Sequence, residues 1–528
     1  MKVMRKLFII QLKQLLSFTS NVGRKKRQSR SIWLMLLLLA GLGLYIGGIY
    51  SFSMAQAFHM LGTLDRVFVI MSGIAVLLSL LMIVMGANGI IFQAKDTIFL
   101  LSLPLQPQTV MAAKLVAVYG EALIINFFMM APSLFAYSRY QALPWTAYPL
   151  FLAVILLLPM ISTVLALILG YLFSRIQSRT KMSPMVMNGL LLGAMGVLLF
   201  FVFQMQSVMM GETLAPTSLP SRLLFLATPF YWVRDILVDA DLLSLLYLTV
   251  VSLIPLGLIS WLLSTRFLDI ISGMSIRTKS EEYRGPSKRK TPMKALLRKE
   301  FKQYFGTPTY FINTIIGPLI LMGGAIFLLF QQSMLAEFEY TLQIVGIPVG
   351  LIIIAAIISV LSVNNTTAPS ISLEGSRLWI LKSLPVTTLS ILHAKILLNL
   401  IIVTPAVIVA GIIANYLFDL SMIERVMIFV LPILATCVSA FIGLIANLFY
   451  TKLDAPSDTA VVKNSASVII GSLGVMMATI LLLFVLYWLR KYIGDNILYI
   501  AFGFYLIMAI VLYQYIRTKG VAKFKQII

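Results

Sequence analysis

Few residues in this sequence could carry out acid–base, metal or nucleophilic chemistry. The 528 residues include 19 acidic side chains and two histidines, His59 and His393. No cluster of acids or cysteines accompanies either histidine, and Cys437 is the one cysteine. A zinc site needs several ligands close together, and a Ser-His-Asp triad needs an acid next to its histidine. The sequence therefore predicts neither a metal centre nor a hydrolase active site, and no internal disulfide.

Glu121 is the one acidic residue well inside an apolar stretch. Carboxylates within a membrane are costly and often mark an ion or proton pathway. A structural interpretation is also open, because Glu121 follows Lys114 by seven residues on the same helix face and could reach water at the headgroups. We keep Glu121 as the candidate intramembrane polar site.

The composition indicates a membrane protein. Hydrophobic residues make up 60% of the chain and charged residues 11%, whereas soluble domains have roughly 45–50% and about 25%. A soluble enzyme or a nucleic-acid-binding domain is therefore excluded. The formal charge of +22 comes from 41 Lys and Arg residues, and their positions indicate orientation in the membrane.

Twelve apolar stretches have the length of a transmembrane helix, for which about 20 residues are needed. The first half contains 31–50, 67–91, 115–137, 147–173, 187–205 and 243–264. The second half contains 311–330, 342–362, 396–418, 426–449, 466–489 and 497–516. We predict an all-α polytopic membrane protein with about twelve transmembrane helices.

The basic residues fall mainly into alternate loops. If the N-terminus is cytoplasmic, 34 Lys and Arg lie inside and seven outside, as the positive-inside rule requires. We expect a multi-pass protein of the cell membrane with both termini cytoplasmic. The first long apolar run begins at Ser31 after a basic lead and has the length of a span, so no cleavable signal peptide is predicted.

An amphipathic segment precedes each half and is the first of three repeated features. Its apolar positions have the spacing i, i+3, i+4, i+8, i+11, i+12 and recur 289 residues later. The first copy is Met4, Leu7, Phe8, Leu12, Leu15 and Leu16; the second is Met293, Leu296, Leu297, Phe301, Tyr304 and Phe305. This spacing places them on one helical face. We predict two helices that lie in the membrane interface.

The second repeated feature is an apolar cytoplasmic turn in each half, which we call the first elbow, residues 98–104, and the second elbow, residues 379–385. The elbows share a Ser-Leu-Pro sequence at an offset of 281 residues. Their central residues are Leu101, Ser102, Leu103 and Pro104, and Ser383, Leu384 and Pro385. Proline ends the preceding helix. In the first half Pro107 suits the first turn of the next helix, and in the second half Thr388 suits its N-cap. Movement of an elbow would therefore move the third span of its half.

The third repeated feature follows the fourth span, where Leu172, Phe173 and Asn188 match Leu448, Phe449 and Asn464 at an offset of 276 residues. A 6+6 internal repeat accounts for all three features. The predicted regions are a basic segment with the interfacial helix (1–30), a six-span half (31–265), a basic linker with the second interfacial helix (266–309), a second six-span half (310–517) and a tail (518–528).

The stretch from Glu374 to Val386, with Ile391 to Lys395 after it, resembles the cytoplasmic coupling region of ABC exporter membrane subunits. That pattern has an acidic residue, an apolar turn, a Ser/Thr-Leu-Pro elbow and a helix that ends in Lys at the third span. The chain is similar to the O-antigen, drug and bacteriocin exporters and looks like two such subunits fused. The first half departs from the pattern, because Gln93 occupies the position of Glu374.

The resemblance implies that the elbows dock on two copies of a separate nucleotide-binding ATPase subunit, which would hold ATP and Mg. Leu103, Pro104, Leu384 and Pro385 would shape the docking sites, and Glu374 would orient the second elbow. The sequence has no G-x-x-x-x-G-K-[ST] phosphate loop. We therefore expect a chain that binds no cofactor and is not itself an enzyme. Lys114 and Lys395 are expected to extend to the lipid headgroups.

The resulting hypothesis is the permease subunit of an ATP-driven exporter that works by alternating access. Scarce charge within the spans favours a hydrophobic or amphipathic cargo, such as a peptide, lipid or drug-like molecule. Polar cargo could instead be held by backbone groups and by Asn188, Asn364, Asn365 and Asn464. Two alternatives stay open: a proton-coupled secondary transporter, and a non-transporting partner that regulates an ATPase or a protease.

Overall fold

The computed structural model describes residues 28–87, 106–179, 185–186, 188–190, 192–193, 196, 227–265, 291–330, 348–362, 364–455, 457–493 and 496–527. These residues form helices and no β-strand. Ten of their helices are long and apolar enough to cross a membrane, so the predicted all-helical polytopic class is confirmed. The chain divides into two compact units at residues 281 and 282. That division lies inside the predicted linker, whose boundaries stay predictions.

Six helices of the first unit have defined bounds. They are α1 (Gln28–Met60), α2 (Arg66–Ala87), α3 (Pro107–Ser138), α4 (Ala147–Arg179), α5 (Thr228–Val238) and α6 (Leu242–Thr265). Helix α3 begins at Pro107, as predicted from a first-turn proline. Helix α2 packs against α3, α4 and α5, and residues such as Phe68 and Val154 form the buried core between them. The predicted fifth span lies mostly outside the described residues.

The short helix α5 is fixed to the rest of its unit by charge. Arg234 binds Asp65, in the turn between α1 and α2, at 2.9 Å, and Asp235 at 2.8 Å. The Tyr137 hydroxyl donates to the other oxygen of Asp65 at 3.0 Å. These contacts tie α5 to α3 and to the turn before α2.

The second unit contains more helices, several of them short. The long ones are α8 (Pro308–Phe330), α9 (Val349–Ser362), α12 (Thr388–Leu417), α13 (Met422–Phe449), α15 (Ala466–Ile493) and α16 (Ile497–Tyr515). The others are α7 (Pro292–Gly306), α10 (Thr367–Ser370), α11 (Leu378–Ser383), α14 (Asp458–Asn464) and α17 (Val521–Gln526), with a 3-10 helix (Ser372–Arg377) and a π-helical turn (Ile516–Gly520). Helix α13 is central and contacts α9, α12, α15 and α16.

Helix α7 occupies the place of the second predicted interfacial helix. Leu296 and Tyr304 are buried, and Leu297 and Phe301 are partly buried on the same face. This face packs on α12. Glu300 lies in the middle of it and is also buried, which the hydrophobic spacing did not reveal. The first interfacial helix, with Leu7, Phe8 and Leu12, lies outside the described residues; the interfacial location and the internal repeat stay predictions.

Candidate functional site

Between α9 and the second elbow, residues 364–377 form only the short helix α10 and a 3-10 helix, and we call this segment the connector. It begins with Asn364-Asn365-Thr366-Thr367, whose side chains compete with the helical backbone for hydrogen bonds. Residues 364–375 are all buried. Irregular backbone at membrane depth is tolerated where the protein satisfies its polar groups. The hydrogen-bond partners of the connector therefore decide its position.

Three long helices supply those partners. On α12, the Asn399 side-chain oxygen accepts from the Thr366 amide at 2.9 Å. On α13, the Asn447 side-chain oxygen accepts from the amides of Ile371 at 2.7 Å and Ser372 at 3.1 Å. On α8, the Tyr310 hydroxyl donates to the Thr366 carbonyl at 2.6 Å. The connector is thus held by side chains from three spans of its unit.

Two glycines allow the connector to approach these helices closely. A Cβ atom at Gly317 on α8 would overlap the side chain of Asn364, and one at Gly443 on α13 would overlap that of Asn365. The Asn365 amide donates to the Ser439 carbonyl at 2.6 Å, and the Asn364 oxygen accepts from the Gly317 amide at 3.3 Å.

The prediction that Asn364 and Asn365 could hold polar cargo was wrong. Asn364 also donates to the Val360 carbonyl at 2.7 Å, and the Asn365 oxygen accepts from Thr367. Both carboxamides are thus occupied by the protein's own backbone, because the chain needs them to pair an irregular buried segment. Of the other proposed cargo residues, Asn188 is buried, and the side chain of Asn464 lies outside the described residues.

A buried ion cluster joins the connector to α7 and α12. It consists of Lys299, Glu300, Glu374 and Lys395. The Lys395 ammonium donates to Glu374 at 2.7 Å, to Glu300 at 3.0 Å and to the Ser370 carbonyl at 3.0 Å. These bonds use all three of its N–H donors. Lys299 binds Glu300 at 3.1 Å and also contacts Glu374.

Three of the four side chains in the cluster are shielded from water. The exposed fraction of the side chain is 0% for Lys395, 3% for Glu300 and 5% for Glu374, whereas it is 34% for Lys299. Burial lowers the pKa of the Lys299 ammonium, and the positive charge of Lys395 lowers that pKa further. With all four groups ionised, the two positive charges balance the two negative ones, and removal of any one leaves a buried charge without compensation.

The expectation that Lys114 and Lys395 extend to the headgroups was wrong. Both lysines are buried, with 1% of each residue exposed. Lys395 points inward because two buried carboxylates and a carbonyl oxygen replace the hydration that it would have at the headgroups. Two of these partners, Glu300 and Glu374, are distant in sequence, so the spacing around Lys395 did not reveal them.

The second elbow follows the ion cluster directly. Helix α11 buries Leu378 and Leu381 and ends at Ser383, and Pro385 prevents its continuation. Thr387 caps α12 by accepting a hydrogen bond from the Ser390 amide at 3.2 Å. The predicted cap was Thr388, one residue too late. The first elbow, with Leu101, Ser102, Leu103 and Pro104, lies outside the described residues.

The outer side of the second elbow exposes large apolar side chains. Trp379 is 66% exposed, Ile380 45% and Leu384 42%. The elbow therefore presents an apolar surface while its inner side is anchored through Leu378, Leu381 and the adjacent Glu374.

The length of α12 favours a position of this surface beyond the hydrocarbon core. Its 30 residues extend about 45 Å, and the core is about 30 Å thick. The surplus of about 15 Å exceeds the headgroup layer of about 5–8 Å on each side. The predicted span begins at residue 396, so the first eight residues of α12, about 12 Å of helix, lie before it and most of the surplus falls at the elbow end.

Glu121 lies in α3 and is partly buried. Its proposed role in proton coupling stays a prediction. Among the residues that the structure describes, no group of three His, Cys, Asp or Glu side chains could hold a metal ion.

Comparison with known proteins identifies the family of the chain. A family model described as "Membrane protein of 12 TMs" matches residues 29–516. Neither a curated protein nor a solved structure matches the sequence. The family match spans the twelve predicted transmembrane stretches, which run from residue 31 to residue 516. The chain therefore belongs to this family of membrane proteins with twelve transmembrane segments.

Proposed function

We propose that the chain is the membrane-spanning subunit of an ATP-driven exporter, and that ATP is hydrolysed by two separate nucleotide-binding subunits. The observation that carries this proposal is the second elbow. Its exposed Trp379, Ile380 and Leu384 stand at the end of a helix too long for the hydrocarbon core. Exposed apolar surface marks a site for a protein partner or for the membrane surface, and the length of α12 favours the partner.

The ion cluster supports a mechanical role for the elbow. Glu374 lies five residues before Trp379 and bonds to Lys395 on α12 and to Lys299 on α7. A force on the elbow therefore acts on α12 through two connections, the continuous chain at Thr387 and the buried ion pair. Since packed and hydrogen-bonded elements move as units, a displaced elbow would displace α7 and the inner end of α12 with it.

A cavity in the second unit supports a hydrophobic or amphipathic cargo. It has a volume of about 360 Å³ and lies between α8, α9 and α12. Small residues open it, among them Gly324, Ala356 and Ala410, and the remaining lining residues are apolar. Such walls suit a hydrocarbon chain or apolar side chain and offer nothing to an ion or sugar.

The proposal is tested by purifying the tagged chain from its native membrane in mild detergent and measuring subunit stoichiometry by native mass spectrometry. We expect two ATPase subunits per chain, and their loss from the double variant Trp379→Asp, Leu384→Asp. The matched control is Tyr416→Asp, Met422→Asp, which alters exposed apolar residues at the other end of α12 and the start of α13 and should retain the ATPase.

Recovery of the wild-type chain without an ATPase, even after cross-linking, would refute the exporter proposal. Substrate uptake into reconstituted vesicles without ATP would then favour a secondary transporter, and no uptake would favour a regulatory partner.

A further inference from the structure

The C-terminal helix α17 packs beneath the second elbow. Phe524 is 1% exposed and lies in the same core cluster as Leu378 and Leu381 of α11. Helix α17 also contacts α12 and α13. The elbow is therefore supported from below by the last helix of the chain as well as by the ion cluster.

Lys382 in the elbow connects the two elements directly. Its ammonium donates to the carbonyl of Lys525 at 3.2 Å and to that of Ile527. The same ammonium lies 5.8 Å from the centre of the Phe524 ring. A lysine that binds the last carbonyls of a helix stabilises its C-terminal end. The elbow and α17 thus form one continuous surface, which we call the docking face, residues 377–385 and 517–525.

The docking face is strongly basic around its apolar centre. Its exposed cations are Arg377, Lys382, Arg517, Lys519 and Lys525. Residues 515–527 contain no acid, and Glu374 is buried in the ion cluster. One exposed acid, Asp454, lies near the face, because its neighbour Leu453 belongs to the core cluster of Leu378, Leu381 and Phe524. Positive charge therefore predominates around Trp379, Ile380 and Leu384.

We propose that the docking face, including α17, binds the ATPase subunit at an apolar cleft rimmed by carboxylates. This inference rests on the proposed function and specifies the chemistry of the partner. A protein partner is favoured over anionic lipid because the eight residues of α12 before the predicted span, about 12 Å of helix, exceed a headgroup layer of about 5–8 Å. Charges at the rim of such an interface steer association and make it sensitive to salt.

The test uses photolabelling with radioactive 8-azido-ATP in native membranes, followed by purification of the tagged full-length chain. The wild type should bring down a labelled subunit, and less of it as NaCl rises from 0.05 to 0.5 M. The double variant Lys519→Glu, Lys525→Glu should lower the recovered label about tenfold at low salt, because two rim attractions become repulsions. The matched control is Lys294→Glu, Arg298→Glu, which reverses two exposed cations of α7 and should recover the wild-type amount.

The outcomes separate this inference from the proposed function. If the wild type recovers no labelled subunit, both fail. If the α17 variant recovers the wild-type amount of label while Trp379→Asp, Leu384→Asp recovers none, the exporter proposal stands and the basic extension of the docking face is overturned. If the α17 variant keeps its labelled subunit but transfers poorly into nanodiscs rich in phosphatidylglycerol, the cations bind lipid and the inference is overturned. Unchanged thermal stability of the α17 variant shows that it has folded.

Discussion

Replacing Lys395 by Met removes the cation at the centre of the ion cluster. Glu300 and Glu374 then stay buried with only the partly exposed Lys299 to compensate them. Removing one partner of a buried ion pair typically costs about 3–5 kcal/mol. Lys395 makes three bonds of 2.7–3.0 Å and its side chain is 0% exposed, so we expect the full effect.

A compensating substitution separates charge from packing. Lys395→Met combined with Glu374→Gln leaves Lys299 and Glu300 as one balanced pair. Replacing a buried pair by neutral groups of similar size is often close to neutral in stability. We therefore expect the double variant to be more stable than Lys395→Met alone. Adding the two single losses in stability would instead make the double variant less stable, so the two substitutions are coupled.

The assay uses the single cysteine of the chain. Cys437 is partly buried in α13, next to the segment that binds the connector, so a thiol-reactive fluorogenic dye reports when α13 opens. At about 2–4 °C per kcal/mol for a unit of this size, Lys395→Met should lower the apparent Tm by about 6 °C or more. Scans are compared at one heating rate because unfolding in detergent is irreversible.

The control is Lys294→Met on the exposed side of α7, which should change the apparent Tm by no more than about 1 °C, as surface substitutions usually do. A Lys395→Met variant that melts with the wild type would refute the stabilising role of the ion cluster. A double variant that loses the sum of the two single losses would show that Glu374 and Lys395 act independently.

Three further predictions concern other parts of the described structure. Gly443→Ala should destabilise α13 by about 1–3 kcal/mol by overlap with the connector, whereas Gly324→Ala, at a site with open space, should not, both measured with the same dye. Thr387→Ala should cost about 1 kcal/mol by loss of the α12 cap and accelerate hydrogen exchange in the first turn of α12. Hydrogen bonds from Ser244 lower the pKa of Asp241. The ionised carboxylate therefore stabilises the start of α6 above about pH 4, and this stabilisation is lost as the pH falls through the lowered pKa. Faster amide exchange at the start of α6 on acidification, abolished in Asp241→Asn, would confirm it.

The parts of the fold that were predicted correctly are those that depend on local sequence. Apolar runs of span length and the prolines at 107 and 385 each act over fewer than about 30 residues. The helix at residues 292–306 followed from hydrophobic spacing for the same reason. In a membrane these local rules are strong, because every spanning segment must satisfy its own backbone.

The connector and the ion cluster could not be predicted in this way. Asn364 and Asn365 look like cargo ligands in isolation, and Lys395 looks like a headgroup anchor. The partners that decide their positions lie far away in sequence, for example Ser439, which is 74 residues after Asn365, and Glu300, which is 95 residues before Lys395. A signal was available in hindsight, since Glu300 interrupts an otherwise apolar helical face.

The helical membrane class, the number of membrane-spanning segments and the helix start at Pro107 thus followed from the sequence alone, because hydrophobicity and proline geometry act locally. Which charges are buried together, and which apolar residues of the elbow stay exposed, depends on contacts between segments that are distant in sequence. The physical reason is that a buried charge is stable only next to a compensating group, and that group is brought there by the packing of α7, α12 and the connector.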